Sequence, residues 1–424
     1  MFQKIFKVFK LKDLRGKILF TFLLLVICRL LAHIPIPGVD ADVLAEFFNR
    51  NRIFGILNML SGGTMSSFSI VMMGVAPYIS ASIIIQLLTT IVPSLEALAK
   101  EGEIGRQKLN QYTRWLTLPL AMIQAYGMVT VVGGRQKILP EITNFELFTI
   151  IISVSAGTIF LMWLGELITE KGVGNGISLI ITLGIISRIP VSVRNTVSVL
   201  DPSKYLIFVL LLLLAAFVIF FIIVIQQGER RIPICYARRI RGMRIYGGGE
   251  TYLPIRVNTA GVIPIIFALS IMIFPAVIAR FFTSARTPFI ASLASYGESL
   301  FQPNTIFYII IYFLLVFAFT FFYTAVVFNP SNISETIQKQ GGFIPGIRPG
   351  KQTADYLSKV ITRITLFGGI FLGIIAILPL LVQRSYPYFN IIIGGTGLLI
   401  VVSVILETAR QIEAHLAMRT YEQY

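Results

Sequence analysis

An uncharged run of 21 residues, from Tyr205 to Ile225, constrains the fold more than any other feature of this sequence. A helix needs about 20 apolar residues to cross the hydrocarbon core of a bilayer. The composition agrees, since 55% of the 424 residues are hydrophobic and 13% are charged, against about 25% charged residues in a typical soluble domain. A β-barrel would instead show alternating segments of about ten residues. The sequence therefore predicts an all-α polytopic membrane protein.

Hydropathy and charge-free length predict ten membrane-spanning helices. They lie near residues 18–36, 70–92, 115–133, 146–168, 177–190, 204–226, 258–279, 305–328, 364–383 and 388–407. The first apolar stretch is longer than the core of a signal peptide and lacks a small-residue cleavage site, so we expect it to be retained. Ten spans divide into two halves of five, residues 1–190 and 191–424, although the sequence shows no convincing internal repeat.

The distribution of lysine and arginine predicts the orientation. The segments 1–17, 93–114, 166–176, 227–257, 329–363 and the tail after 407 share one side of the membrane and hold 25 Lys and Arg residues together. The opposite loops hold ten, and Arg29 lies within the first span. The positive-inside rule places the rich set, with both termini, in the cytoplasm. The net charge of +16 therefore reflects topology and contact with anionic lipids.

A short, broken apolar segment precedes the second span. Residues 56–64 are interrupted by Gly62 and Gly63 and are too short to cross a bilayer. Irregular backbone at membrane depth occurs only where protein or a water-filled cavity surrounds it. A re-entrant segment beside a helix that carries Ser80, Ser82 and Gln86 indicates an element that lines or fills a pore.

Stiff aliphatic residues recur at helical spacing beside this segment. Val75, Ile79 and Ile83 share one face of the second span, and Ile177 and Ile181 repeat the spacing at the start of the fifth. β-branched side chains have few rotamers, so a ring of them would form a narrow apolar constriction that resists wetting. The alternative is ordinary lipid-facing or packing residues, because apolar pairs at this spacing are common in spans.

Two connecting segments, residues 227–257 and 329–363, are large for loops between spans. The first contains six arginines between residues 230 and 244, and the second contains the run FIPGIRPG at residues 343–350. Both could be solvated positive-inside loops. The Pro and Gly residues that flank Arg348 favour a structured docking surface for the second loop.

The sequence shows no enzyme chemistry. The glycine clusters near residues 174 and 248 lack the spacing of a phosphate-binding loop, and the two histidines and two cysteines indicate neither a metal site nor a disulfide framework. We expect no cofactor. A secondary transporter of small solutes is the main alternative to a channel, but carriers usually keep a carboxylate or histidine at mid-membrane. A membrane-embedded enzyme is a third possibility, for which no nucleophile and base are visible.

Several strings are shared with a known family. They include IPIPGVD at 34–40, residues 77–88 and 101–114, WLGE at 163–166 with residues up to 178, AGVIP at 260–264, FIPGIRPG at 343–350 and GGT at 394–396. These strings are spread over nearly the whole chain. The sequence resembles the bacterial SecY family, whose members are the central subunits of the Sec protein-conducting channel.

The resemblance implies a clamshell of two pseudo-symmetric five-helix halves around an hourglass pore. It assigns the pore ring to Val75, Ile79, Ile177, Ile181, Ile266 and Ile400, with Ile83 adjacent. It assigns a re-entrant plug to residues 56–68, with site residues Leu57, Asn58, Met59, Leu60, Ser61, Gly62 and Gly63. It places a lateral gate between the second and seventh spans, with Ser80, Gln86 and Gln124 as its polar residues.

The resemblance also implies partners and a location. Arg348 and Arg244 fall on positions that dock cytoplasmic partners, although Met243 replaces the first arginine of the family's pair. The implied partners are the SecA ATPase, the ribosome, the SecE and SecG membrane subunits, signal sequences and nascent polypeptides. The implied function is passage of unfolded secretory chains across the bacterial inner membrane and lateral release of transmembrane segments into it.

Overall fold

The computed structural model describes residues 11–36, 62–65, 67–136, 143–198, 205–236, 239–241, 244–246, 250–282, 288–302, 305–385 and 395–421. The helices in these ranges are α1 Lys12–Leu31, α2 Ala76–Ile91, α3 Pro93–Lys100, α4 Glu103–Gln136, α5 Asn144–Lys171, α6 Gly176–Ser198, α7 Tyr205–Gln227, α8 Ile263–Phe282, α9 Pro288–Leu300, α10 Ile306–Val327, α11 Pro330–Lys339, α12 Lys351–Ser385 and α13 Gly395–Tyr421.

Each of the ten predicted spans overlaps one of these helices, and the predicted helical membrane fold is confirmed. Four stretches are long and apolar enough to cross a membrane by themselves: Asn144–Lys171, Tyr205–Gln227, Ile306–Lys339 and Lys351–Ser385. Helices α2 and α3 meet at a bend of 101° and qualify as a fifth when they are counted together. Helices α3, α9 and α11 were not predicted from the sequence.

Several predicted span boundaries differ from the helix ends by a turn or more, and the structure shows the cause for two of them. Residues 70–75 form turns, and α2 begins only at Ala76. Gly74 has a φ of 55°, a left-handed conformation that a helix cannot contain, and Pro77 lies in the first turn of α2, where proline is favoured. Helix α1 ends at Leu31, because Pro35 pairs with Ser69 in an isolated antiparallel bridge.

The two large loops meet in a small sheet that the sequence did not predict. The strands, in chain order, are β1 Glu229–Tyr236, β2 Arg239–Arg241, β3 Arg244–Tyr246, β4 Glu250–Arg256 and β5 Gly342–Phe343. Among the described residues, strands β2 and β3 pair only with each other. Strand β1 lies between β4 and β5 and is antiparallel to both. Ile232 and Ile234 alternate with exposed neighbours along β1, and this alternation buries one face of the sheet against α12.

The two largest apolar clusters of the described residues lie within the spans. One joins α7, α8, α10, α12 and α13 and includes the fully buried Met272 and Tyr312. The other joins α1, α5, α6 and α13 around Leu164 and Ile168. Helix α13 therefore connects the first-half helices with the second-half helices. The division of the chain into halves at residue 190 stays a prediction.

Candidate functional site

Six of the seven predicted ring residues lie in one buried apolar cluster, which we call the ring cluster. They are Val75, Ile79, Ile177, Ile181, Ile266 and Ile400. Ile83 is also buried, but it lies outside this cluster. Val75 and Ile79 of the first stripe therefore lie in the ring cluster, whereas Ile83, one further turn along α2, does not. The role of these residues as a pore ring stays a prediction.

The ring residues lie near the beginnings of four helices. Val75 immediately precedes α2, Ile177 is the second residue of α6, Ile266 is in the first turn of α8, and Ile400 is in the second turn of α13. Helices α2, α6 and α8 start after turns that contain Gly74, Gly174 and Gly261, and α13 starts after residues outside the described ranges. Four helices thus bring their first turns into one apolar cluster.

A close approach of α5 and α6 fixes the position of Ile177. A Cβ atom at Gly176 would collide with the carbonyl oxygen of Gly165. A Cβ atom at Gly165 would lie 2.5 Å from Cδ1 of Ile177. Glycine at both positions lets the two backbones touch, and the ring residue rests directly on α5.

The predicted plug is described only at its carboxyl end. Leu57, Asn58, Met59, Leu60 and Ser61 lie outside the described residues. Residues 62–65 and 67–69, which we call the stalk, are bonded to the segment that follows α1. The amide of Ile36 donates to the carbonyl of Phe68 at 2.9 Å, and the amide of Ile70 donates to the carbonyl of Ile34 at 3.1 Å. The stalk is therefore held by backbone hydrogen bonds on one side.

The stalk packs into a second apolar cluster that is rich in methionine. Phe68 is 1% exposed and has a φ of 42°, a strained conformation for a residue with a side chain. It packs with Met65, Met72, Met128 and Val154. Flexible methionine side chains fill irregular gaps, and burial of the phenyl ring offsets the backbone strain. The strained backbone of Phe68 therefore accompanies the packing of the stalk in this cluster.

A cavity of about 40 Å³ lies between the stalk and the ring cluster. Thr64 of the stalk lines it, together with Val75 and Ile181 of the ring cluster. Cys28 and Arg29 of α1 complete part of the wall. The stalk therefore lies directly against one face of the ring, separated from it by a space that could hold one or two water molecules.

The predicted gate residues lie on helices that are in contact, but they do not form one hydrogen-bonded set. Helix α2 packs on α4 and α8. The hydroxyl of Ser80 donates to the carbonyl of Ala76 in its own helix at 3.1 Å, and Gln124 of α4 is half-buried. Gln86 of α2 lies beside the hydroxyl of Tyr323 in α10.

Sequence reasoning missed Tyr323. It makes an edge-to-face ring contact with Phe267 of α8, with centroids 6.4 Å apart. It therefore connects α10 with both α2 and α8, the helices of the predicted gate. A tyrosine within an otherwise apolar span was the available signal, since a hydroxyl there needs a partner.

Arg348 is exposed on a loop whose backbone is fixed. Ile344 is buried and Ile347 packs against the same cluster, which includes Ile232 and Leu357. The hydroxyl of Thr353 donates to the carbonyl of Arg348 at 2.9 Å. Gly346 and Gly350 have φ values of 79° and 97°, which only glycine adopts readily. The FIPGIRPG loop, residues 343–350, thus presents one cation on a rigid base.

The structure does not bring the two predicted docking arginines into one described contact. Arg244 begins the short strand β3, which pairs with β2. Met243 lies outside the described residues. Within the described ranges, His, Cys, Asp and Glu side chains form no group of three or more that could hold a metal ion.

Comparison with known proteins gives consistent matches over the chain. The SecY family model matches residues 69–409. The protein translocase subunit SecY of Thermotoga maritima is 44% identical over 434 residues, which cover 100% of this chain and 98% of that relative.

Two solved structures share the fold. One, described as the structure of a protein conducting channel, has a TM-score of 0.60 and 18% identity, and the match covers 94% of this chain and 91% of that one. The other, Sec61 in the canine ribosome-channel complex from the endoplasmic reticulum, has a TM-score of 0.57 and 17% identity, with the same coverage.

Proposed function

We propose how this chain conducts polypeptides, starting from the fact that it belongs to the SecY family. It is a multi-pass membrane protein, and its function is that of a protein-conducting translocase subunit. The observation that carries the mechanism is the ring cluster, in which six aliphatic side chains from four helices converge. A solute carrier is not favoured by these relatives.

The ring cluster is the constriction through which an unfolded chain passes. Its side chains form no directional bonds, so they accommodate any sequence by small rotations. In the resting state they pack against each other and against α1 and α5. A narrow, dry apolar constriction opposes ion passage because ions would lose their hydration there.

The plug and the gate act at two sides of this ring. The stalk lies against the ring cluster across a small cavity, which supports a plug that covers the constriction from the extracytoplasmic side. The contacts of α2 with α8 and with Tyr323 of α10 support a seam that separates to release apolar segments into lipid. Burial of apolar surface in the bilayer drives that release.

External partners supply the energy and complete the channel. The chain carries no nucleotide-binding motif, so its work depends on the SecA ATPase or a translating ribosome, with SecE and SecG as membrane subunits. The exposed Arg348 supports docking at the FIPGIRPG loop. The charge distribution supports a bacterial inner membrane location with both termini cytoplasmic. The channel subunit itself is not an enzyme.

Crosslinking to a stalled secretory chain tests the ring. A single cysteine that replaces Ile79, in a background without the two native cysteines, should crosslink to the stalled chain. Leu206→Cys is the matched control, because Leu206 is 78% exposed on α7 and should face lipid. Crosslinking at Leu206→Cys as strong as at Ile79→Cys would contradict the proposed path.

A further inference from the structure

Two arginines from different spans converge on the glycine turn of the stalk. Arg29 is near the end of α1 and Arg188 is in α6. The Nη1 atom of Arg29 donates to the carbonyl of Gly62 at 3.3 Å. A Cβ atom at Gly63 would lie 3.2 Å from Nε of Arg188, so the Arg188 side chain lies directly against the next residue of the stalk.

The backbone of the turn is shaped for this contact. Gly62 and Gly63 have φ values of 73° and 90°. A Cβ atom at Gly62 would lie 2.6 Å from the Cα atom of Gly184. The stalk therefore touches the backbone of α6 one helical turn before Arg188, and only glycine permits the contact. This close fit places the Gly62 carbonyl within reach of Arg29.

The two guanidinium groups are partly buried, and both side chains lie against the same glycine turn. Neither forms an ion pair with a carboxylate among the described residues. A guanidinium carries five donors in a fixed plane, and the carbonyl of the stalk satisfies one of them. Removing the stalk would leave two like charges in a partly buried site, which is unfavourable.

We propose that Arg29 and Arg188 form a latch that holds the stalk in its position against α6. This inference rests on the proposed channel function and deepens it. The latch stabilises the seated stalk because the Gly62 carbonyl accepts a charge-assisted hydrogen bond. It releases when a passing chain displaces the stalk from α6. Arg29 and Arg188 are thus positioning residues, not part of the constriction.

The test is the ion leak of the resting channel in planar bilayers, with the chain in its complete membrane complex. Arg29→Gln and Arg188→Gln should each raise the leak about tenfold, as expected for loss of a charge-assisted hydrogen bond. Arg29→Lys should leak less than Arg29→Gln, because it keeps the charge and one donor. Arg15→Gln is the matched control, since Arg15 is an exposed arginine at the other end of α1.

A second readout follows the stalk directly. The Ser67 hydroxyl donates to the carbonyl of Ala32 at 3.3 Å, so cysteines at these two positions should crosslink in the closed state. Crosslinking should fall in both glutamine variants. Wild-type leak and crosslinking in both variants, or an equal leak in Arg15→Gln, would overturn the latch.

Polypeptide transport by the wild-type complex is measured separately. Failure of transport would overturn the proposed function. The leak and crosslinking still decide the latch by themselves, so the two failures are distinguishable.

Discussion

The ring cluster and the FIPGIRPG loop are both proposed to contact other proteins, yet they are built from opposite chemistry. The ring cluster presents six aliphatic side chains and no polar group. The loop presents the exposed Arg348 on a backbone held by side-chain hydrogen bonds at Ser334 and Thr353. In the proposed mechanism, the side chains of the ring cluster contact the passing chain, whereas most side chains of the loop fix its backbone.

The two regions are therefore suited to two different kinds of protein recognition. A surface that must accept every sequence avoids hydrogen bonds, because each directional bond would favour some sequences over others. A surface that must select one partner uses a charge in a fixed place, since charge complementarity gives specificity. The four predictions below test this division, from the largest expected effect to the smallest.

Reversing the charge of the loop should have the largest effect. Arg348→Glu should reduce ATPase-driven translocation about 100-fold, because juxtaposed like charges at a docking interface cost several kcal/mol. Thermal stability should not change, because the side chain is exposed. Lys351→Glu, three residues along and also exposed, is the control. Normal translocation by Arg348→Glu would show that the loop does not select the partner by charge.

Separating α5 from α6 should displace Ile177 and so disturb the ring cluster. Gly176→Ala should destabilise the chain by about 1–3 kcal/mol, as overpacking usually does, because the new methyl group meets the Gly165 carbonyl. Ile177 would shift with the backbone, and the resting ion leak should rise. Gly127→Ala is the control, since a Cβ atom there meets nothing within 4 Å. Equal melting temperatures for the two variants would contradict this contact.

Placing a hydroxyl in the ring should test its chemistry without moving a helix. Ile181→Ser should raise the resting leak about tenfold, because a polar group favours wetting of an apolar constriction. Ile181→Val keeps a stiff aliphatic side chain and should stay near the wild-type conductance. Planar-bilayer recordings make the measurement. Equal leaks from the two variants would contradict a seal that depends on the apolar side chain at Ile181.

Loosening the base of the loop should have the smallest effect. The buried Ser334 hydroxyl donates to the Gly350 carbonyl at 2.7 Å. Ser334→Ala should lower stability by about 1 kcal/mol and reduce translocation only a few-fold, because Arg348 keeps its charge. Ser331→Ala, at an exposed position of the same helix, should change neither. A loss as large as that of Arg348→Glu would mean that loop geometry matters more than charge.

Much of the site could be predicted because its signals are local. Stiff aliphatic residues at helical spacing indicated Val75, Ile79, Ile177 and Ile181. Ile266 and Ile400 came only from the family resemblance, because nothing in their local sequence separates them from other span isoleucines. Tyr323, Arg188 and the Gly62–Gly184 contact involve residues far apart in the chain, and sequence periodicity carries no information about such pairs.

The sequence by itself determined that this chain crosses a membrane repeatedly, because long uncharged apolar runs have no other stable solution. It also determined the candidate docking arginine, since Pro and Gly around a lone cation are local turn chemistry. Only the tertiary structure decided that six of the predicted ring residues share one apolar cluster that omits Ile83, that two loops share one sheet, and that two arginines meet at the stalk. Those outcomes depend on how helices approach one another, and glycine contacts between helices, not local propensity, decide that.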